Sequence, residues 1–217
     1  MQVKITNNEF ILIQNLLLEH KLNSIEIIDT FTKYVDILAV WQKNINLVST
    51  QDLAKVWDRH IFNSLQLLPF VLKNSKINIL DIGSGAGFPA IILAICNEDN
   101  SYFLVESNTK KASFLKFVVS ILNLKNVIVL NKRLEDINDS DIKKIDIITA
   151  RAVASLLDLV MLSNPLFKAN NYALFLKGEN YLSEIEEFTN SQLSSSFNID
   201  ILTIKNKKEV ILKVLKP

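Results

Sequence analysis

The residues most able to do chemistry together in this 217-residue chain are two acids and three glycines. Asp81 ends a short apolar run, Gly83, Gly85 and Gly87 follow at alternate positions, and Glu106 closes the next apolar run. Three glycines in that spacing let the backbone turn sharply and come close to a ligand. Pro89 fits the first turn of a helix, and a helix starting there points unpaired N–H groups back at the same ligand. Asp81 is an awkward neighbour for phosphate and a good one for a cation. Glu106 is placed to grip ribose hydroxyls. The dinucleotide fingerprint G-x-G-x-x-G needs its third glycine inside the helix, but after Gly87 this chain continues with Phe88 and Pro89. The loop is therefore built for a nucleoside-type cofactor other than a pyrophosphate dinucleotide.

The elements that must position these groups alternate as parallel βαβ units do. Strands are predicted at Ile77 to Ile82, Tyr102 to Glu106, Val127 to Leu130, Ile145 to Ala150 and Tyr172 to Lys177, the last running into Gly178. Helices are predicted at Pro89 to Asn97, Asn108 to Leu122, Ser155 to Leu162 and Leu182 to Leu193, with Ser194 to Asn198 as a loop. The final strands, Asp200 to Ile204 and Val210 to Leu215, are joined by the short polar turn Lys205 to Lys208 and must be antiparallel, because a parallel return needs a crossover. Residues 1–70 read as helical, with no glycine or proline before Pro69. Asn7 or Asn8 is expected to cap a first helix to about Lys21, and Ser24 a second. Ser49 or Thr50 is expected to cap a third, running through Trp57 and Arg59 to Ser64. Ligands in such sheets bind beyond the carboxyl ends of the strands. That rule gathers Asp81 to Gly87, Glu106, Leu130 to Glu135, Arg151 and Lys177 on one rim.

The acid, G-x-G-x-G and second-acid pattern resembles the class I S-adenosylmethionine-dependent methyltransferases, and the antiparallel final hairpin is a second likeness. The expected fold is α/β, a Rossmann-like, mostly parallel sheet with an antiparallel last strand. It divides into an N-terminal helical cap, residues 1–70, and a methyltransferase domain, residues 71–217. Composition agrees with a packed globular chain: 49% hydrophobic, 22% charged, net charge +1. A nearly neutral chain draws polyanions only through a local basic patch. The single Cys96 excludes an internal disulfide framework and a cysteine-rich zinc site, and it lies in an apolar stretch expected to be core. With no apolar span of eighteen residues and no leader pattern at the N-terminus, a cytoplasmic protein that does not enter a membrane is expected.

Missing residues narrow the reaction. Pyrimidine carbon methylation usually needs a cysteine nucleophile on the rim, where none is expected. Exocyclic-amine methylation often uses an Asn/Asp-Pro-Pro-aromatic turn after the fourth strand, where this chain has Ala150-Arg151-Ala152-Val153. What remains is an acceptor with its own lone pair: a purine ring nitrogen, an oxygen or a small molecule. A guanine N7 needs no general base, only in-line positioning and electrostatic support.

Along most of its length the chain resembles the bacterial small-subunit rRNA guanine-N7 methyltransferases, also called the glucose-inhibited division protein B family. The likeness rests on Trp41-x-Lys43-x-x-Asn46-Leu47, Arg59-His60-Ile61-x-x-Ser64, Asp81 to Ile91, Arg133-x-Glu135, Ala150-Arg151-Ala152 and Lys177-Gly178. It implies S-adenosylmethionine as cofactor, with Asp81, Gly83, Gly85, Gly87, Phe88, Glu106, Leu134, Glu135 and Arg151 around it. It implies Arg151 and Lys177 as catalytic residues, and Asn46, Arg59, His60 and Arg133 on the RNA. Arg59, His60, Arg133, Arg151 and Lys177 would form a cationic rim. The implied partner is small-subunit ribosomal RNA within a ribosomal particle, met by a monomer. Asn63 departs from the pattern: the family usually has Asp there, so Arg59 or His60 loses a charge partner. The competing readings are a small-molecule methyltransferase, a nicotinamide-dependent oxidoreductase, disfavoured by the glycine spacing, and a non-catalytic cofactor-binding assembly protein.

Overall fold

The computed structural model describes residues 3–73, 76–168, 170–204 and 209–217. The turn expected at Lys205 to Lys208 lies outside them. Short, mostly apolar runs form the strands of a seven-stranded sheet, and the inner strands are buried on both faces. In chain order these are β1 (Asn78–Ile82), β2 (Ser101–Val105), β3 (Val127–Leu130), β4 (Ile147–Arg151), β5 (Tyr172–Lys177), β6 (Asn198–Thr203) and β7 (Val210–Leu215). The spatial order is β3-β2-β1-β4-β5-β7-β6. β1 pairs in parallel with β2 and β4, whereas β7 runs antiparallel to both β5 and β6. The chain thus reverses its direction of travel across the sheet beside β1, and the loops after β1 and β4 diverge there. That divergence is the crevice in which ligands of open α/β sheets lie.

Helices cover both faces. One face carries α1 (Asn7–Glu19), α2 (Ser24–Trp41), α6 (Ala90–Cys96) and α7 (Thr109–Ile121) in a core shared with Ile79, Tyr102 and Leu104. The other carries α8 (Leu156–Ser163) and α9 (Tyr181–Thr189) over Leu80, Ile82, Ala150 and Phe175. The N-terminal helices belong to the first of these cores, continuous with the sheet. On α2, Ile28, Phe31, Tyr34, Val35 and Leu38 are buried at helical spacing. Gln42 then braces the turn after it, donating to the Val48 carbonyl and accepting from the amides of Leu47 and Val48.

Local details differ from the sequence reading in instructive ways. Thr6, one residue before Asn7, caps α1 through a reciprocal box with Glu9. Asn23, not Ser24, occupies the cap position of α2, and Ser24 is buried inside the helix. The third helix is interrupted. Ser49 caps α3 (Thr50–Ala54), the helix breaks at Lys55, Val56–Phe62 winds as a wide π-helical segment, and α4 (Asn63–Leu65) and α5 (Leu68–Val71) follow. α9 ends at Thr189, four residues before the expected Leu193. β4 extends one residue further than expected, so Arg151 is its last member and pairs with Leu176 of β5.

Candidate active site

The glycine loop is held from three sides. Gly83, Gly85 and Gly87 have φ of +61°, +54° and +95°, values that side chains resist. From β2, Glu106 reaches under the loop: one carboxylate oxygen accepts the Gly85 amide at 2.9 Å and the other the Asn108 amide at 2.8 Å. Asn131, after β3, donates to the Glu106 and Ser107 carbonyls and so ties the neighbouring strand ends together. From α2, the Tyr34 hydroxyl donates to the Ala86 carbonyl in the loop itself, and the Tyr34 ring meets the edge of Phe88 at 5.5 Å.

Asp81 on β1 is the direct register partner of Thr149 on β4, whose hydroxyl donates to its carboxylate at 2.7 Å. The second carboxylate oxygen is buried without a partner. Burial pushes the Asp81 carboxyl up to about 7; the Glu106 charge adds to this and the Thr149 hydrogen bond opposes it, while the Ser84 hydroxyl donates to the Asp81 backbone carbonyl.

These residues fit a nucleoside-bearing cation. A Cβ at Gly85 would find no neighbour closer than the Gly83 carbonyl at 3.7 Å, so the space above the loop is free. Each Glu106 oxygen keeps a second lone pair for a ribose hydroxyl. Asp81, two residues before the loop, keeps one buried oxygen without a partner, and Leu134, on the turn after β3, is buried.

Beside the loop, at the ends of β4 and β5, a cleft of about 250 Å³ is lined by Asp52, Arg59, His60, Asn63, Arg151 and Lys177 among others. Arg151 donates to the carbonyls of Arg59 at 2.6 Å and His60 at 3.4 Å, and so pins the π-helical segment to the end of β4. Arg59 itself pairs with Asp52 at 2.5 Å. Asp52 thereby provides the charge partner that Asn63 cannot. The His60 ring stacks on Phe88 at 4.6 Å. Burial first, and the nearby Arg151 second, depress the imidazole to about 3, so it is neutral at physiological pH. Both ring nitrogens of His60 and the side-chain oxygen of Asn63 are buried without partners.

Most of the expected site residues converge here. Asp81, the three glycines, Phe88, Glu106, Arg151, Arg59, His60 and Lys177 surround the loop and the cleft, with Leu134 and Glu135 on a single 3₁₀ turn after β3. Arg133 and Glu135 are exposed. Asn46 sits on the exposed turn that Gln42 braces and does not line the cleft. The cationic rim is narrower than expected. His60 carries no charge, and Lys177 is only 6% exposed, its ammonium bonded to Glu184 at 2.6 Å and to the Ala154 carbonyl at 2.7 Å. Sequence reasoning missed Tyr34, Asp52, Thr149 and Glu184. Tyr34 had one legible signal, a phenol within an otherwise apolar helical stripe, where a buried hydroxyl must find a partner. Cys96 is buried in α6, and burial raises its thiol far above the usual range. No helix among the described residues is long and apolar enough to cross a membrane.

A parallel sheet with the glycine loop after its central strand and a reversed final hairpin defines the class I methyltransferase fold. Among solved structures, the ribosomal protein L11 methylase of Lactobacillus delbrueckii subsp. bulgaricus matches it with a TM-score of 0.57 over 73% of this chain and 78% of its own. At 17% identity that likeness concerns the fold alone. The family model for rRNA small subunit methyltransferase G matches residues 27–212, and the chain belongs to that family. The ribosomal RNA small subunit methyltransferase G of Orientia tsutsugamushi (strain Ikeda) is 38% identical over 173 residues, covering 80% of this chain and 82% of the relative. Its namesake from Gluconobacter oxydans (strain 621H) is 41% identical over 155 residues, covering 71% and 77%.

Proposed function

We propose that this protein transfers the methyl group of S-adenosylmethionine to N7 of a guanine in small-subunit ribosomal RNA. The observation that carries the reading is the adjacency of the glycine loop to a cleft that offers arginines and a neutral stacked histidine but no nucleophile. Family membership supports the RNA substrate, since the relatives are named for it. When bound, the cofactor supplies an electrophilic sulfonium methyl, which a ring nitrogen takes with its own lone pair, so no residue has to remove a proton.

The chain's part is then binding and alignment. Gly83, Gly85, Gly87, Asp81 and Glu106 would hold the cofactor, and Phe88, Leu134 and Glu135 would border it. Arg151 fixes the geometry between loop and cleft by anchoring the Arg59-His60 backbone, and a planar guanidinium does so through two separate donors. Neutral His60 keeps the wall beside Phe88 free of a charge that would repel a sulfonium. Arg59 and Arg133 meet RNA phosphates, with Asn46 at the edge of that surface. A near-zero net charge favours a structured ribosomal particle, met by a monomer in the cytoplasm, over arbitrary RNA.

The test incubates purified protein and methyl-labelled S-adenosylmethionine with small ribosomal subunits or with naked ribosomal RNA. N7-methylguanosine weakens its glycosidic bond, so borohydride reduction and aniline treatment cleave the chain there. Label at one guanosine with cleavage at that position is the expected result. Unlabelled RNA, or label at a position that resists cleavage, overturns the proposal.

A further inference from the structure

The segment after β4 is held in a conformation it would not choose alone. Ala152 has φ +53°, a left-handed value that a residue with a Cβ resists. Val153 follows, 38% exposed, and sits against the glycine loop: a Cβ built on Gly83 would come within 2.9 Å of a Val153 methyl. Arg151, at the base of this turn, holds the π-helical segment. One short turn therefore touches the cofactor loop and the acceptor cleft at once.

What fastens the turn is a polar clamp from the neighbouring elements. The Lys177 ammonium, at the end of β5, donates to the Ala154 carbonyl at 2.7 Å. The Glu184 carboxylate, on α9, accepts from that ammonium at 2.6 Å and from the Leu156 amide at 2.7 Å. At the far end of the turn Ser155 caps α8, accepting from the Asp158 amide. A buried ammonium is stable only while it has its carboxylate. Without Glu184, Lys177 would turn toward water and release Ala154, and the Leu156 amide would lose its acceptor. Both fastenings thus depend on one carboxylate, which also borders the cleft.

We infer that Glu184 is a positioning residue, which acts through Lys177 and the Leu156 amide to hold the turn Ala152–Ser155 against the glycine loop in the geometry that methyl transfer requires. This rests on the function proposed above. It also redefines Lys177: its ammonium works on the turn instead of facing the acceptor as a free cation.

The test compares wild type, Glu184→Ala and Glu184→Ala combined with Ala152→Gly. Glu184 lies near the surface of α9, 23% exposed at its side chain, so the variants should fold. Three readouts are taken: hydrogen exchange of the amides from Val153 to Leu156, S-adenosylmethionine affinity by calorimetry, and single-turnover methylation of small ribosomal subunits. In Glu184→Ala these amides should exchange at least tenfold faster, cofactor affinity should stay within about threefold, and the single-turnover rate should fall at least tenfold. Glycine accepts the φ of position 152 without strain. Ala152→Gly in the Glu184→Ala background should therefore recover at least threefold in rate, measured where circular dichroism shows both variants fully folded, so that a general loss of stability is not the cause. Unchanged exchange in Glu184→Ala overturns the inference, as does faster exchange with an unchanged rate, or a lost rate that Ala152→Gly does not recover. A wild-type protein that methylates nothing overturns the function proposed above, and the exchange measurement still decides whether Glu184 holds the turn.

Discussion

Two glycines of one loop should respond to the same substitution in opposite ways. At Gly87, φ is +95° and an added Cβ would lie 2.5 Å from Cγ1 of Ile91 and 3.2 Å from Leu115 Cδ2. Ile91 and Leu115 are fully buried, so neither can retreat without disturbing the packing of α6 and α7 against the sheet. The backbone term is roughly 1–2 kcal/mol and overpacking adds typically 1–3 kcal/mol, so Gly87→Ala should lose about 2–5 kcal/mol of stability. That is a large share of the ~5–15 kcal/mol that holds a domain together. At Gly85 the same methyl enters open space, with its nearest neighbour at 3.7 Å, and only the backbone term of about 1–2 kcal/mol applies. If that space belongs to the cofactor, the methyl displaces ligand instead of protein. A tenfold or greater loss of affinity, at least ~1.4 kcal/mol, is expected.

Urea unfolding followed by circular dichroism measures the first quantity, and isothermal titration with S-adenosylmethionine the second. Gly87→Ala should unfold at a clearly lower urea concentration than Gly85→Ala, whose loss is limited to the backbone term of about 1–2 kcal/mol, while Gly85→Ala binds cofactor poorly. Wild-type affinity in Gly85→Ala would remove the loop from the cofactor site. Equal stability losses in the two variants would refute the distinction drawn from the two backbone environments.

Other outcomes follow from the same geometry. Glu106→Ala removes the acceptor for the Gly85 and Asn108 amides and, in the function proposed, a ligand for ribose, and should weaken cofactor binding about ten- to a hundredfold, at roughly 1.5–3 kcal/mol; titration with unchanged affinity refutes it. Arg151→Lys cannot serve the Arg59 and His60 carbonyls together, so the single-turnover rate should fall strongly with little change in RNA affinity or in its salt dependence, whereas a normal rate with a shallower salt slope would mark Arg151 as a phosphate contact. Asp81 binds its proton more tightly in the folded protein than in the unfolded chain. Its favourable contribution is therefore complete below about pH 4 and is lost as pH rises through about 7. Asp81→Asn should gain stability relative to wild type between about pH 5 and pH 8 in urea unfolding, and a pH-independent difference would contradict the elevated carboxyl.

How much could be read from the sequence depended on how far apart the interacting residues lie along it. The glycine loop is a local code: Asp81, the alternating glycines and Pro89 fall within nine residues, and each demands a particular backbone. The strands were legible because their runs are apolar on both faces, and the antiparallel end because so short a connection admits no crossover. The helix after Ser49 was read as continuous because periodicity cannot distinguish π from α winding over seven residues. The charge state of His60 was beyond pattern altogether, since it follows from burial first and then from Arg151, 91 residues away in sequence.

The same distance argument applies to the helices expected as an N-terminal cap, residues 1–70. Their apolar stripe is enough to account for packing, and nothing local in it points to a ligand. Yet Tyr34 reaches 52 residues along the chain to the Ala86 carbonyl, and His60 lies flat on the next aromatic of the loop. Phe88 is thus gripped from one side by α2 and from the other by the π-helical segment. Asp52 adds the partner for Arg59 that position 63 no longer supplies. A glycine loop of this kind serves any class I methyltransferase. What makes it serve one acceptor must lie in the walls around it, and here two of those walls come from the first 65 residues. Specificity in this fold is therefore written where the local sequence pattern says only that a helix packs.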